Sequence, residues 1–203
     1  TMKNTSLQLK KVDPTDTILK AAVNRFSEYG YNKTTMVEIA KDAGMSAANI
    51  YRYYKNKEEI AAACAKGCFC ERLDILKSVI RGANLSAAEK LEKYVLTALQ
   101  RSQDMFIENR KIDEVVMEIT KNRSDLLHDK INNENALLAE IIAYGNQIGE
   151  FDVDDVIESA ATINSMLILF DVPIFMPLFT KEEFEKKAHA VIKLLVTGLT
   201  KKN

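Results

Sequence analysis

A short segment near residue 50 combines very small side chains with side chains that form hydrogen bonds. Its members are Ser46, Ala47, Ala48, Asn49, Tyr51, Arg52 and Tyr53. Two consecutive alanines let a backbone approach a flat surface closely, and their methyl groups can contact a thymine methyl. The amide of Asn49 matches the N6 and N7 edge of adenine, and the guanidinium of Arg52 matches a guanine or a phosphate. The segment is therefore suited to reading base edges in the major groove of double-stranded DNA.

Residues on either side of this segment suit the negatively charged DNA backbone. Thr34 and Thr35 stand where a helix is predicted to begin, and the free amides of a helix N-terminus favour an anion. Lys57 adds an ammonium at the start of another predicted helix. Tyr51 and Tyr53 carry phenolic hydroxyls that can donate to phosphate. These five residues form the predicted phosphate-binding set.

Helix-start signals define the elements that must position these residues. The predicted N-cap residues are Asp13, Thr35, Ser46 and Asn56. Thr35 is followed three positions later by Glu38, which completes a capping box. The short helices that begin after Thr35 and Ser46 are joined by a tight turn at Gly44. Two such helices predict a helix-turn-helix over about residues 35–54.

The rest of the chain also has a helical pattern. With 7 glycines, 3 prolines, no tryptophan and 47% hydrophobic residues, the sequence favours an all-α protein of about nine helices over a β-sandwich or barrel. One of these helices is expected to break near Asn132-Asn133. The predicted helices outside the helix-turn-helix are 14–29, 57–81, 87–108, 113–121, 124–144, 155–170 and 181–199.

Charge is divided unevenly along the chain. The whole chain has a formal net charge of −1, but residues 1–57 hold 10 Lys and Arg against 5 Asp and Glu, and residues 58–203 hold 18 against 24. A small basic unit beside a larger acidic one is typical of a protein whose basic part seeks a polyanion, although ordinary variation of a charged surface is the alternative. We therefore predict a DNA-binding domain over 1–57 and a helical domain over 58–203. Lys3, Lys10 and Lys11 form either a basic arm along the DNA or a solvated tail.

The stretch from Ile18 to Ile60 resembles the N-terminal DNA-binding domain of the tetracycline-repressor (TetR) family. The residues that carry the resemblance are Phe26, Tyr29-Gly30-Tyr31, Thr34-Thr35, Glu38-Ile39-Ala40, Ala43-Gly44-Met45-Ser46, Asn49-Ile50-Tyr51-Arg52-Tyr53-Tyr54 and Lys57-Glu58. The resemblance implies a homodimeric bacterial transcription regulator, usually a repressor, that binds a palindromic operator. It also implies that the phosphate-binding set takes the positions of the family's usual phosphate contacts. In that family the C-terminal domain dimerises and binds a small-molecule effector, whose identity the sequence does not indicate.

Large apolar residues scattered over the C-terminal helices suit a ligand cavity between helices, with a few polar groups as anchors. The candidate effector pocket consists of Tyr94, Gln103, Phe106, Met117, Asn164, Met166 and Phe170. Methionine is an adaptable lining for such a cavity. The alternative is that each of these residues belongs to an ordinary core.

The last two long helices carry apolar stripes that suit a dimer interface. The stripe residues are Val156, Ala160, Ile163, Leu167, Ala188, Val191, Leu195 and Leu199. In the family that the chain resembles, these two helices pack against their mates as a four-helix interface. One short helix reads only a few base pairs, so a two-fold dimer is expected to contact half-sites about 34–36 Å apart. Ligand is then expected to favour a dimer whose two heads no longer fit successive grooves, with the fourth helix as the lever.

Other function classes lack support in the sequence. Cys64, Cys68 and Cys70 have neither a neighbouring histidine nor a fourth metal ligand, so packing is expected rather than a zinc or redox role. No hydrolase, phosphate-loop, dinucleotide or metalloprotease motif is present, and we predict no enzyme activity, no catalytic residue, no metal and no cofactor. Polar residues and prolines interrupt the apolar run 160–179, so a membrane-spanning helix is not expected there. The first residues are polar, so a secretory signal is not expected. A soluble, cytoplasmic protein without a membrane partner is therefore expected.

Two alternatives stay open. A protein of the same fold can act on DNA as a structural or cell-division protein without an effector, and a sealed C-terminal core would favour that alternative. A helical enzyme or binding module in which the basic head is incidental would fail to bind DNA even at low salt, where phosphate contacts are strongest.

Overall fold

The structure, a computed structural model, describes residues 13–82, 84–108 and 110–200. Over these ranges the chain forms ten α-helices, one 3-10 helix and an isolated β-bridge between Phe151 and Thr200. The α-helices are α1 (Pro14–Tyr29), α2 (Met36–Asp42), α3 (Ala47–Ile50), α4 (Lys57–Ile80), α5 (Ala87–Glu108), α6 (Arg110–Asn122), α7 (Ser124–Gln147), α8 (Val156–Met166), α9 (Ile168–Asp171) and α10 (Lys181–Leu199), and the 3-10 helix is Pro173–Leu178. The prediction of an all-α fold with an N-terminal helix-turn-helix is confirmed.

Local hydrogen bonds explain where the first helices begin and end. The Asp13 carboxylate accepts a hydrogen bond from the Thr15 amide at 2.9 Å and so caps α1. Thr35 and Glu38 form the reciprocal capping box that their spacing predicts, and α2 follows it. α1 ends at Gly30, whose φ of +83° lies in the left-handed region that favours glycine.

The C-terminal half differs from the prediction in two places. α7 continues through Asn132-Asn133, where the Asn133 side-chain amide donates to the Asp129 carbonyl of the preceding turn at 2.7 Å. The predicted helix 155–170 divides at Leu167 into α8 and α9, and the connector after it winds into the 3-10 helix. These divisions bring the number of helices in the described ranges slightly above the nine expected.

The first of two hydrophobic clusters holds the helix-turn-helix. It joins α1, α2 and α3 to the N-terminal half of α4 and to one face of α6. Ile18, Phe26, Ile39 and Ile50 have no exposed surface in it. The residues that α6 adds to the cluster are Ile112, Val115 and Ile119. The packing around the helix-turn-helix therefore continues past residue 57, the boundary predicted from charge.

The second cluster forms the body of the protein. It packs the C-terminal half of α4 against α5, α7, α8, α9 and α10, with Tyr94 and Phe184 among its largest buried side chains. α4 belongs to both clusters, through Ile60 in the first and Leu76 in the second. The part of the protein around the first cluster is called the head. The single helix α4 thus connects the head with the body. None of the helices in the described ranges has the length and apolarity that crossing a membrane requires.

Candidate functional site

α3 is anchored by one buried residue and presents its other side to solvent. Ile50 is fully buried and holds α3 against α2. Ala48, Tyr51, Arg52 and Tyr53 are exposed, with 52% of the Tyr51 surface and 42% of the Tyr53 surface accessible. A helix-turn-helix places this side of its second helix in the major groove.

The predicted base-reading residues lie within residues 46–53, which are called the reading segment from here on. This segment forms one continuous helical stretch of backbone. Ser46 Oγ accepts a hydrogen bond from the Asn49 amide at 3.2 Å and caps α3, and Ala47 and Asn49 are partly buried next to it. α3 ends at Ile50. The Tyr54 amide nevertheless donates to the Ile50 carbonyl at 3.1 Å, so the helical winding of the backbone continues for another turn. All seven predicted reading residues therefore lie on neighbouring turns of the same segment.

Thr34 departs from the predicted phosphate-binding set. Only 1% of its surface is exposed, and its hydroxyl donates to the Gly30 carbonyl at 2.9 Å. Its side chain closes the loop between α1 and α2 and does not present a donor to solvent. Thr35 is exposed, but its hydroxyl is held by Glu38 Oε2 at 2.8 Å in the capping box. The Glu38 amide donates to Thr35 Oγ1 at 3.3 Å, so the Met36 and Val37 amides of the first turn of α2 are the donors left for an anion.

Lys57 has a structural partner that the sequence did not indicate. Its Nζ donates to the Tyr31 carbonyl at 2.7 Å and to the Thr34 carbonyl at 2.8 Å, and it lies 4.2 Å from the centre of the Tyr31 ring. Partial burial lowers the pKa of the Lys57 ammonium. The side chain fastens the loop before α2 to the start of α4. Its third N–H remains the one with which it can reach a phosphate.

One other cation of the head also forms ion pairs within the protein. Arg25 in α1 bonds to Asp42 at 2.5 Å and to Glu38 at 3.2 Å, so it joins α1 to α2. Arg52 within the reading segment and Lys55 just after it are exposed. The proposed basic arm of residues 3–11 lies outside the described residues.

A cavity of about 130 Å³ lies between α4, α5, α6, α7 and the start of the 3-10 helix, and its walls are mostly apolar. Its lining residues are Cys68, Phe69, Arg72, Arg101, Ser102, Met105, Asp113, Val116, Met117, Thr120, Leu127, Lys130, Asp171, Val172 and Pro173. Of the seven predicted pocket residues, Met117 lines this cavity and the other six do not. Met117 is thus the one predicted pocket residue at this cavity, and the position of the effector pocket stays a prediction.

Those six residues have other places in the fold. Tyr94 and Phe170 are buried in the second cluster, and Phe106 packs at its edge. Gln103 is buried with 8% of its surface exposed, and the Asn164 side-chain amide donates to Asn135 Oδ1 at 2.8 Å. Met166 is 57% exposed on the surface of α8. Hydrophobicity alone did not separate residues that line a cavity from residues that fill a core.

A closed network of four charges borders the cavity. Arg72 bonds to Glu134 at 3.1 Å and to Asp171, and Lys130 bonds to Glu134 at 2.7 Å and to Asp171 at 2.6 Å. All four side chains are largely buried. The network ties α4 and α7 to the end of α9. Sequence reasoning missed it because Arg72 and Asp171 are 99 positions apart.

The predicted dimer stripe faces inwards. Ala160, Ile163, Leu167, Ala188 and Leu195 are buried in the second cluster of the same chain. Val156, Val191 and Leu199 are partly buried against that cluster. The five buried residues have no surface left for a partner, whereas Val156, Val191 and Leu199 keep part of theirs, and the dimer interface stays a prediction.

The outer faces of the same two helices carry different apolar residues. Ile157 and Met166 of α8 are 72% and 57% exposed, and Leu194 of α10 is 73% exposed. On a helix, a shift of one position turns a side chain by about 100°. The apolar residues of α8 and α10 therefore divide into an inner and an outer face, and periodicity did not reveal which of the two a partner would contact.

The cysteines are not arranged for metal binding. Cys64 is buried, Cys68 partly buried and Cys70 exposed, and all three are free thiols. Burial raises the pKa of Cys64 to about 12 and also raises the pKa of Cys68, which keeps both thiols protonated. Within the described ranges, no group of three or more His, Cys, Asp or Glu side chains is placed to hold a metal ion.

Comparison with known proteins finds two family matches, one in the N-terminal part of the chain and one in the C-terminal part. Residues 18–64 match the family of bacterial regulatory proteins described as the tetR family, and residues 87–192 match the tetracyclin repressor-like C-terminal domain. The second match alone covers more than half of the chain.

Curated relatives match part of the chain. The chain is 39% identical over 61 residues to the biofilm operon icaADBC HTH-type negative transcriptional regulator IcaR of Staphylococcus epidermidis, which is 30% of this chain and 33% of the relative. It is 42% identical over 60 residues to the fatty acid metabolism regulator protein of Bacillus subtilis, which is 28% of this chain and 31% of the relative. The aligned part thus spans about a third of the length of these relatives.

Solved structures share the fold over nearly the whole chain. The fatty acid degradation regulator FadR from Bacillus halodurans matches with a TM-score of 0.67 and 24% identity over 92% of this chain and 96% of that chain. A tetR-family regulatory protein from Rhodococcus matches with a TM-score of 0.64 and 22% identity over 95% of this chain and 100% of that chain. Taken together with the exposed reading segment and the two matched domains, these likenesses lead to one conclusion: the chain belongs to the TetR family of bacterial regulatory proteins.

Proposed function

We propose that the protein is a sequence-specific DNA-binding transcriptional regulator, and that it acts as a repressor whose affinity for its operator changes when a small molecule occupies the C-terminal domain. The observation that carries this proposal is the exposed side of α3 and the turn after it, where Ala48, Arg52 and two tyrosines face solvent beside the partly buried Asn49. Small residues, an amide and a guanidinium on one helical segment suit contacts with base edges in the major groove. A relative named as a negative transcriptional regulator supports repression. The work of such a regulator places the protein with the bacterial chromosome, in the cytoplasm.

The proposal includes a homodimer on a palindromic operator. One copy of α3 spans only a few base pairs, so two copies related by a two-fold axis are needed for adequate specificity. The outer faces of α8 and α10 supply the proposed contact, since Ile157, Met166 and Leu194 would otherwise leave apolar surface in water. The proposed division of labour is a reading head over 1–57 and a body over 58–203 for dimerisation and ligand binding.

Two helices connect the cavity with the head. α6 lines the cavity through Val116 and Met117 and packs into the first cluster through Val115 and Ile119. The Lys111 ammonium of the same helix donates to the Glu28 carbonyl at the end of α1. A ligand that displaces α6 therefore strains the packing of α1, and α4 carries the head with it. The dimer is proposed to exist in two conformations that differ in the spacing of the two heads. Bound ligand increases the population of the conformation that binds the ligand better.

The alternative of a DNA-bound structural protein without an effector rests on a sealed body. The cavity between α4, α5, α6 and α7 argues for the effector, because an apolar cavity bordered by a few polar groups is the usual form of a small-molecule site. The alternative predicts that no small molecule alters DNA affinity.

The test is a band-shift experiment with the full chain and the DNA upstream of its own gene. We expect a retarded complex whose stoichiometry is two chains per operator and whose affinity falls steeply with salt, because phosphate contacts release counterions. Random DNA of the same length is the control and should bind more weakly. The absence of any complex at low salt would contradict the proposal.

A further inference from the structure

One of the charged side chains that line the cavity lacks a partner of opposite charge. Three cations line it, and each is bonded to a carboxylate: Arg72 and Lys130 in the four-charge network, and Arg101 with Glu71 at 3.3 Å. The carboxylates that line the cavity are Asp171, which belongs to the four-charge network, and Asp113. Within the described ranges Asp113 is the lining charge that has neither an ion pair nor a hydrogen bond. Each lining cation therefore has a carboxylate beside it, whereas Asp113 has no cation beside it in the described ranges.

Asp113 is not a solvated surface acid. It lies in the first turn of α6 and is partly buried, whereas its neighbour Glu114 is exposed and pairs with Arg110 at 3.7 Å. Burial and the nearby charge of Glu114 raise the pKa of the Asp113 carboxyl. The helix dipole favours an acid at this end of a helix, but it does not replace a counter-charge in an apolar wall.

The other groups around the cavity also suit a cation. Ser102 Oγ donates to the Asp171 carbonyl at 2.8 Å, and Thr120 Oγ1 donates to the Val116 carbonyl at 2.9 Å. Each hydroxyl has used its proton and retains a lone pair, so both can act as acceptors. The ring of Phe69 is among the apolar lining residues, and an aromatic face attracts a cation.

Size limits the ligand. The cavity volume is about 130 Å³. A dry protein cavity of about 150 Å³ accepts one benzene molecule. The apolar body of a ligand that enters without reshaping the walls is therefore about the size of one aromatic ring.

We propose that the effector is an organic ammonium whose positive charge pairs with Asp113 and whose apolar body, about one ring in size, fills the space beside Phe69. This inference rests on the proposed function, because it names the chemical class of ligand for the effector cavity. It differs from a ligand class with an acidic group, which would meet cations that already have carboxylate partners.

The test uses three probes with the same ring and nearly the same length: 2-phenylethylammonium, 2-phenylethanol and 3-phenylpropanoate. Isothermal titration calorimetry on the full chain, at millimolar probe concentrations, measures each affinity. We expect the ammonium to bind about tenfold more tightly than the alcohol, because it adds a charge-assisted hydrogen bond in a partly buried site. The propanoate should bind most weakly.

Two variants assign the preference to one carboxylate. Asp113→Asn keeps the shape and removes the charge, so it should reduce the affinity of the ammonium to that of the alcohol. Glu118→Gln makes the same change at an exposed position further along α6 and should leave the preference intact. Thermal unfolding of both variants establishes that they are folded.

Each other outcome would overturn the inference. Equal binding of ammonium and alcohol, tighter binding of the propanoate, an unchanged preference in Asp113→Asn, or no binding of any probe would each do so. The band shift on the same preparation separates this result from the proposed function, because a chain that binds its operator but no ammonium still acts on DNA. A chain that binds the ammonium but no DNA would contradict the regulator and leave the cation site in place.

Discussion

The Lys57 ammonium lies 2.7 Å from the carbonyl oxygen of Tyr31, at the other end of the helix-turn-helix. The bond connects the start of α4, which leads to the body, with the loop that precedes α2. A residue assigned to phosphate from its position in the sequence therefore also sets the geometry of the head. Movement of α4 reaches this loop through a hydrogen bond as well as through the first cluster.

We expect Lys57→Met to lower the free energy of unfolding by about 1–3 kcal/mol, because two loop carbonyls lose a charged donor. Urea unfolding measures the change. Lys55→Met, at an exposed position two residues earlier, is the control and should stay within about 0.5 kcal/mol of the parent. A Lys57→Met protein of unchanged stability that bound every DNA more weakly would assign the ammonium to phosphate alone.

Asn49→Ala should weaken binding to the operator by about 1–3 kcal/mol and binding to random DNA far less, because a base-reading amide is lost while the phosphate contacts remain. Fluorescence anisotropy with labelled duplexes gives both affinities. Asn24→Ala makes the same change at an exposed position of α1, outside the reading segment, and should alter neither. An equal loss on both DNAs would show that Asn49 does not read bases.

Leu194→Glu should produce folded monomers, because Leu194 is 73% exposed on the proposed dimer face. Leu195→Glu should instead unfold the protein, since only 9% of Leu195 is exposed and the new carboxylate would enter the second cluster. Sizing chromatography and circular dichroism separate the two results. A Leu194→Glu protein that elutes as the parent does would place the interface elsewhere.

Gly145→Ala should destabilise the protein by about 1–3 kcal/mol, the range for overpacking a core. A Cβ at this position would lie 2.2 Å from the ring of Phe151, whose exposed fraction is 2%. Gly67→Ala in the middle of α4 is the matched change, because nothing lies within 4 Å of its added Cβ. That variant should gain about 0.5–1 kcal/mol from helix propensity. Equal shifts of the two variants in thermal unfolding would contradict this contrast between the two glycines.

A thiol reagent should distinguish the three cysteines. Cys70 is exposed and should react first. Cys64 should react only after unfolding, because it is buried and its pKa is raised to about 12, so little reactive thiolate forms at neutral pH. Titration with a chromogenic disulfide in buffer and in denaturant counts the two classes. Rapid reaction of all three thiols in the native protein would contradict this arrangement.

The sequence alone determined the helices of the head, and it predicted a reading segment over residues 46–53. Capping acts between residues three apart, as at Thr35 and Glu38, and a glycine ends a helix through its own backbone angle, as at Gly30. These interactions are complete within a few residues, so their spelling in the chain is sufficient to predict them.

Only the tertiary structure decided which apolar residues line the cavity, which fill the core and which face outwards. Leu194 and Leu195 are neighbours of equal hydrophobicity, and the packing of α10 buries one and exposes the other. Arg72 meets Asp171, and Asp113 is left without a counter-charge, because helices from distant parts of the chain converge there. Burial and ion pairing depend on that convergence, which no local pattern of residues contains.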